Sequence, residues 1–225
     1  MLPRQAGSEV HPQPMTVSAT IGLVDDEPGM LRALRRLLRA EGFEVRTFTS
    51  ADDFLQHGAS QPLDCLVLDV AMPGRCGLDL QEHLRRSGAR LPIVFLTGQG
   101  DIPMSVRAIK AGAVNFLTKP VNDTQLLEAV RAAVAEAARS RSEDQELAGL
   151  RARLDQLTPR ELEVLRHVIA GQLNKQIAAQ LGTGEQTIKV HRMRITEKMG
   201  MPSVAELVRA AARLGIDPAR QGPKP

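Results

Sequence analysis

Asp69 closes an apolar run, Leu63-Asp64-Cys65-Leu66-Val67-Leu68-Asp69. The pair Asp25-Asp26 closes an earlier one, Thr20-Ile21-Gly22-Leu23-Val24, and Lys119-Pro120 follows a third, Val114-Asn115-Phe116-Leu117-Thr118. In an open parallel sheet the strands finish on one edge, where ligands bind, so carboxylates and a lysine far apart in sequence converge there. Three carboxylates at one point repel unless a divalent cation sits among them. That predicts Mg2+, which is satisfied by a few carboxylates, retained waters and a phosphate oxygen. A carboxylate so placed can accept a phosphoryl group and hold it as an acyl phosphate, and Asp69 is the candidate. Asp26 and Asp69 would share the metal, Asp25 would orient bound water, and a main-chain carbonyl just past Asp69 would complete the shell. Lys119 would neutralise a phosphoryl oxygen from the opposite side. Thr97, at the end of Leu91-Pro92-Ile93-Val94-Phe95-Leu96-Thr97, brings a hydroxyl to the same edge, able to hydrogen-bond the attached group. A lone strand-terminal Asp is more often a turn residue or a helix cap. The coincidence of such residues on four strands carries the argument.

The elements that must position them follow from alternation. From Thr20 to about Arg139, short apolar runs alternate with amphipathic segments, the βαβ signature of a doubly wound parallel sheet. Strands are predicted at 20–25, 43–48, 63–69, 91–97 and 114–118. Helices are predicted at 28–41, 50–58, 77–87, 102–112 and from 123 onward. Pro28 opens the first helix and Gly42 follows it; Ser50 can cap the second, and Gly88 and Gly112 follow the third and fourth. From Asn122 to Leu157 there is no proline and only one glycine, Gly149, so the last of these helices can run on into a linker. Leu147, Leu150, Leu154 and Leu157 form a stripe that would be an a/d seam if two chains paired, although a coiled coil normally needs more heptads. The alternative is a linker helix packed on its own domain.

Beyond Leu157 no strand signal remains. Helices are predicted at 159–170, 174–181, 185–199 and 203–214, separated by Gly171, by Gly182-Thr183-Gly184 and by the stretch from Gly200 to Pro202. Short helices joined by tight Gly-containing turns form a helix-turn-helix pattern. In the third of them Ile188, Ile195 and Met199 share one face and should pack inward, leaving Gln186, Lys189, Val190, Met193 and Arg194 on the opposite face near the N-terminal end. That is the part of a recognition helix that meets base edges in the major groove. Lys189 could donate to guanine, Gln186 pair with adenine and Val190 touch a thymine methyl. The rival reading of the same face is plain solvation.

Composition narrows the possibilities. The chain has 225 residues, enough for two domains, with 43% hydrophobic and 24% charged residues and no stretch that approaches a membrane span, so a cytoplasmic protein is expected. Residues 1–18, with Pro3, Pro12 and Pro14 and no apolar core, read as a disordered tail. Cys65 and Cys76 have no partner at metal-ligand spacing. Trp and Tyr are absent, which disfavours base stacking on aromatic platforms. Residues 1–140 carry 15 basic and 16 acidic side chains; residues 141–225 carry 14 and 10, so the excess that makes the net charge +3 sits in the C-terminal part, where an anionic partner is expected.

The set Asp69-Val70-Ala71-Met72-Pro73-Gly74, Thr97-Gly98 and Phe116-Leu117-Thr118-Lys119-Pro120 resembles the receiver domain of two-component response regulators. The stretch Phe95-Leu96-Thr97-Gly98-Gln99-Gly100-Asp101-Ile102-Pro103-Met104, continued by Ala111-Gly112-Ala113-Val114, is similar to the FixJ type of receiver. The resemblance implies Asp69 as phosphoacceptor. It implies Asp26, Asp69 and the Ala71 carbonyl as Mg2+ ligands with Asp25 beside them, and Lys119 and Thr97 as sensors of the phosphoryl group. It also gives Phe116 a switch role, for which core packing is the plain alternative, and makes a cis Lys119-Pro120 peptide the expectation. Haloacid-dehalogenase phosphatases also use a strand-end Asp with Mg2+, but place a second acid two residues later, where this chain has Ala71. A slowly hydrolysing switch is therefore expected, not a metabolic phosphatase.

Leu157-Thr158-Pro159-Arg160-Glu161-Leu162-Glu163-Val164-Leu165, Asn174-Lys175-Gln176-Ile177-Ala178 and Thr187-Ile188-Lys189-Val190-His191 are similar to the LuxR-type DNA-binding domain of the NarL/FixJ family. By that likeness Lys189, Val190 and Met193 read bases, while Thr187, His191, Arg194 and Lys175 face phosphates. Gly184 stands where the family often has a capping Ser, and Met193 is apolar where some members carry a polar reader. The expected organisation is a tail at 1–18, a receiver at 19–139, a helical linker at 140–156, the DNA-binding domain at 157–215 and a flexible tail at 216–225. The expected function is a phosphorylation-dependent transcription regulator. A histidine kinase phosphorylates Asp69, receivers pair, the homodimer binds a two-fold double-stranded DNA site, and RNA polymerase responds. Two rivals are a constitutive dimer through the linker seam, binding DNA regardless of phosphate, and a phosphorelay protein, in which a basic reading helix would have no purpose.

Overall fold

The computed structural model describes residues 19–98 and 102–219. The expected tail at 1–18, the Gln99-Gly100-Asp101 portion of the FixJ-like stretch and residues 220–225 lie outside the described residues. The chain divides into two compact units, with the boundary between Arg139 and Ser140.

In the first unit, five strands form a parallel sheet in the order β2-β1-β3-β4-β5: β1 (Thr20–Val24), β2 (Glu44–Phe48), β3 (Cys65–Asp69), β4 (Ile93–Thr97) and β5 (Asn115–Thr118). Between them run α1 (Pro28–Ala40), α2 (Ala51–His57), α3 (Gly77–Arg86) and α4 (Ile102–Lys110), and α5 (Asp123–Leu154) follows β5. The order reverses between β1 and β3, the place where a crevice opens above the carboxyl ends of the strands.

The period-2 geometry of a strand sorts its side chains onto two faces. Ile21, Leu23, Cys65, Val67, Val94 and Leu96 point to one face and meet Leu31, Leu34 and Leu38 of α1 and Leu126, Ala129, Val130 and Ala133 of α5. Val24, Leu66, Leu68, Ile93 and Phe95 point to the other and meet Ala51 and Phe54 of α2, Leu80 and Leu84 of α3 and Ala108 of α4. Every residue of β3 and β4 is buried, which explains why both read as continuous apolar runs and not as alternations. Each fully buried Leu of this sandwich contributes about 1.5–3 kcal/mol of transfer free energy.

Local signals agree with the boundaries. Pro28 is at the start of α1, Ser50 accepts from the Asp53 amide at the start of α2, and Gly42 takes φ 86° just after α1. β3 and β4 begin two residues later than expected, at Cys65 and Ile93. In β4 the reason is Pro92, which has no amide to give to a ladder, although its carbonyl accepts from Leu66.

The second unit is helical: α6 (Pro159–Ile169), α7 (Asn174–Gln180), α8 (Glu185–Met199) and α9 (Val204–Leu214). Val164, Leu165, Val168, Ile177, Ile188, Ile195, Met199 and Leu207 make its core. Thr158 and Glu161 form a reciprocal capping box at the start of α6. The last turns of α5 belong to this unit too: Leu150 and Leu154 pack against its core, as does Leu157 just beyond the helix. Residues 216–219 depart from the flexible tail expected there. Gly215 turns the chain in the left-handed region, Ile216 packs on the core, and the Ala219 amide donates to the Arg166 carbonyl. An apolar residue two positions beyond the last helix turn gives this segment something to bury.

Candidate functional site

The carboxyl ends of β1, β3, β4 and β5 bring Asp25, Asp26, Asp69, Thr97 and Lys119 together. Ligand oxygens of Asp25, Asp26 and Asp69 lie within 4.8 Å of one another. Asp25, Asp69 and Thr97 are only 2–3% exposed, while Asp26 lies nearer solvent. Lys119 Nζ faces these carboxylates, 2.8 Å from Asp25 Oδ2 and 3.1 Å from Asp69 Oδ2. Its backbone amide donates to the Thr97 carbonyl at 2.7 Å, and the Lys119-Pro120 peptide is cis.

The electrostatics follow from burial. Desolvation pushes the Asp69 carboxyl above its ordinary range, only partly offset by the Lys119 hydrogen bond. For Lys119 burial works against the charge, but the hydrogen bonds and charges of Asp25 and Asp69 outweigh it and raise its pKa. Three carboxylates against one ammonium leave a net negative hollow lined by hard oxygen donors. That donor set fits a small hard divalent cation and would not suit a soft metal.

Two contributors escaped the sequence reading. Glu27 directs Oε1 to 3.7 Å from Lys119 Nζ, and its amide donates to Asp25 Oδ1 at 2.8 Å. The run Asp25-Asp26-Glu27 carried that signal. Gly77 opens α3 so close to Asp69 that a Cβ there would lie 2.3 Å from the Asp69 carbonyl oxygen. Its amide donates to Val70. Glycine at 77 therefore lets the β3–α3 loop fold back under the Asp69 backbone. The Ala71 amide donates to Asp69 Oδ1 at 3.4 Å, and Phe116 is half-buried with its ring 6.1 Å from that of Phe95.

In the second unit Ile188, Ile195 and Met199 are buried, as their spacing predicts. Gln186, Thr187, Lys189 and Arg194 are exposed on α8, Lys175 is exposed on α7, and Met193 is 60% exposed. Val190 and His191 are half-buried, and His191 Nδ1 is buried without a hydrogen-bond partner among the described residues. Gly184 occupies the N-cap of α8 without a side-chain cap. Arg192 donates to Asn174 Oδ1 at 3.1 Å, joining α8 to α7.

A sheet-edge acidic cluster with a facing lysine, followed by a helix-turn-helix unit, defines a receiver joined to a DNA-binding domain. Residues 21–131 match the response regulator receiver domain family, and residues 155–211 match the family described as bacterial regulatory proteins, luxR family. The chain is 44% identical over 201 residues to nodulation protein W of Bradyrhizobium diazoefficiens, covering 89% of this chain and 88% of that protein. It is 44% identical over 197 residues to response regulator protein TodT of Pseudomonas putida, covering 88% and 87%. Among solved structures, response regulator StyR matches with a TM-score of 0.77 and 44% identity over 87% of this chain and 99% of that one. The chain belongs to the two-component response regulators of the NarL/FixJ family and is a transcription regulator. Among the described residues, no helix is long and apolar enough to cross a membrane.

Proposed function

We propose that Asp69 accepts a phosphoryl group from a histidine kinase, and that this changes pairing of the chain and its binding to a two-fold DNA site. The observation that carries the reading is the convergence of Asp25, Asp26 and Asp69 with Lys119 at one sheet edge. Asp26, Asp69 and the Ala71 carbonyl, with Asp25 beside them, would hold Mg2+, which when bound would supply positive charge to the phosphoryl oxygens. A carboxylate oxygen of Asp69 forms the new bond to phosphorus as the phosphorus–nitrogen bond of the donor phosphohistidine breaks, and the imidazole leaves with the electron pair. Lys119, already 3.1 Å from Asp69, then pairs with a phosphoryl oxygen, and the Thr97 hydroxyl donates to another. Phe116 follows inward and reshapes the adjoining face. Ala71 offers no general acid, so the chain hydrolyses its acyl phosphate slowly and is a switch, not a metabolic enzyme.

On DNA, Gln186, Lys189, Val190 and Met193 meet base edges, and Lys175, Thr187, His191 and Arg194 meet phosphates, with RNA polymerase as the eventual partner. Against a constitutive seam through the linker stands one observation: Leu150, Leu154 and Leu157 are already packed on the core of their own unit. Intact mass after incubation with acetyl phosphate and Mg2+ tests the reading. The wild type gains one phosphoryl group and Asp69→Asn gains none; equal gain in both would remove Asp69 from its role.

A further inference from the structure

The carboxyl end of α8 is held by residues that precede the helix-turn-helix segment. Gly200 leaves the helix in the left-handed region, at φ 64°, and the Gly200 and Met201 amides donate back to Glu197 and Thr196. The Met199 carbonyl accepts from Arg153 Nη1 at 3.2 Å. The guanidinium lies close to Gly200, where a Cβ would stand 3.3 Å from Nη1. Next to it Lys198 Nζ donates to the Gln156 carbonyl at 3.1 Å while pairing with Glu161 Oε2 at 2.6 Å. Leu150, Leu154 and Leu157 press on the cluster that contains Ile188, Ile195 and Met199, and Glu146 pairs with Arg213 of α9 at 3.0 Å. Arg153 and Lys198 also place two cations at the negative end of the α8 dipole.

We infer that residues 146–157, the end of the linker helix and the turn after it, are a positioning element for α8, with Arg153 as the positioning residue that caps it. The inference rests on the reading of α8 as the DNA-contacting helix. At 15 residues, α8 is a lever of about 22 Å, so a tilt at the capped end displaces Lys189 and Met193. Base-edge hydrogen bonds tolerate only a few tenths of an ångström, whereas phosphate attraction acts over a Debye length. Loss of the cap should therefore weaken specific binding and spare non-specific binding. The same leucines cannot serve a two-chain seam while they hold α8.

The test uses the full-length chain as wild type, Arg153→Ala and Arg153→Gln, the last able to donate to Met199 but uncharged. Two quantities are read: amide hydrogen exchange at Gly200 and Met201, and affinity for a duplex selected by the wild type from a random pool beside bulk genomic DNA. Arg153→Ala should speed exchange and weaken the selected duplex about five-fold, the net size of one ordinary hydrogen bond, with bulk DNA unchanged. Arg153→Gln should restore most of both. Unchanged exchange in Arg153→Ala, or equal loss on both DNAs in both variants, would overturn the inference, the latter marking Arg153 as a phosphate contact. Exchange needs no DNA, so a wild type that selects no sequence would sink the DNA reading separately.

Discussion

The ammonium of Lys119 lies 3.1 Å from the carboxylate of Asp69, so the residue after β5 reaches the end of β3 past the intervening strand β4. That contact makes the lysine a competitor of any cation that the carboxylates bind. Lys119→Met should therefore bind Mg2+ about ten-fold more tightly, a modest figure for a unit charge at this distance once partial solvent screening is allowed for. Asp26→Asn should bind it more weakly. Calorimetric titration checks both, and equal affinity in Lys119→Met and wild type would contradict the competition.

Gly77→Ala drives a methyl toward the Asp69 carbonyl, which a backbone atom cannot evade. The expected cost is about 1–3 kcal/mol of receiver stability, with slower phosphoryl uptake because Asp69 itself is displaced. Denaturant unfolding and intact-mass time courses read the two effects, and an unperturbed variant would show the loop to be free to move.

Glu161 is 2% exposed and takes Lys198 and the Thr158 amide as partners. Burial works to raise its pKa, but these bonds prevail and hold it below the usual 4.5. A carboxyl depressed in the folded state stabilises above its unfolded pKa and loses that contribution as pH falls through the folded value. The stability gap between wild type and Glu161→Gln should be full above pH 4.5 and close below it in thermal melts. A gap that widens in acid would refute the assignment.

Arg194→Ala and Lys189→Ala should fail differently on DNA. Loss of a phosphate contact at Arg194 weakens all sequences alike and lowers the salt slope by about one. Loss of a base contact at Lys189 relaxes discrimination at one position by about 1–3 kcal/mol. Fluorescence anisotropy across a salt series separates them, and identical behaviour would dissolve the division of roles.

The sheet and its site were legible because their determinants are local: apolar runs ending in Asp25, Asp69, Thr97 and Lys119 state both strand and edge at once. The helices of the second unit were legible from period and glycine turns, and Ile188, Ile195 and Met199 fell where spacing put them. Gly77 was not legible as a site residue, since its role is the space it leaves beside a backbone eight positions earlier. Arg153 escaped for a different reason: its partner is a main-chain carbonyl, which every residue has and no pattern marks. The leucine stripe was visible, but a stripe states only that a face is covered, and Leu150, Leu154 and Leu157 pack on the unit's own core.

Under the proposed function, chemistry at Asp69 controls the DNA-binding unit. The direct measurement is affinity for a wild-type-selected duplex, with and without acetyl phosphate and Mg2+, for wild type and Asp69→Ala side by side. Phosphorylation should tighten binding of the wild type alone, with the phosphoryl mass confirmed in the same sample. Equal affinity across all four conditions would contradict it.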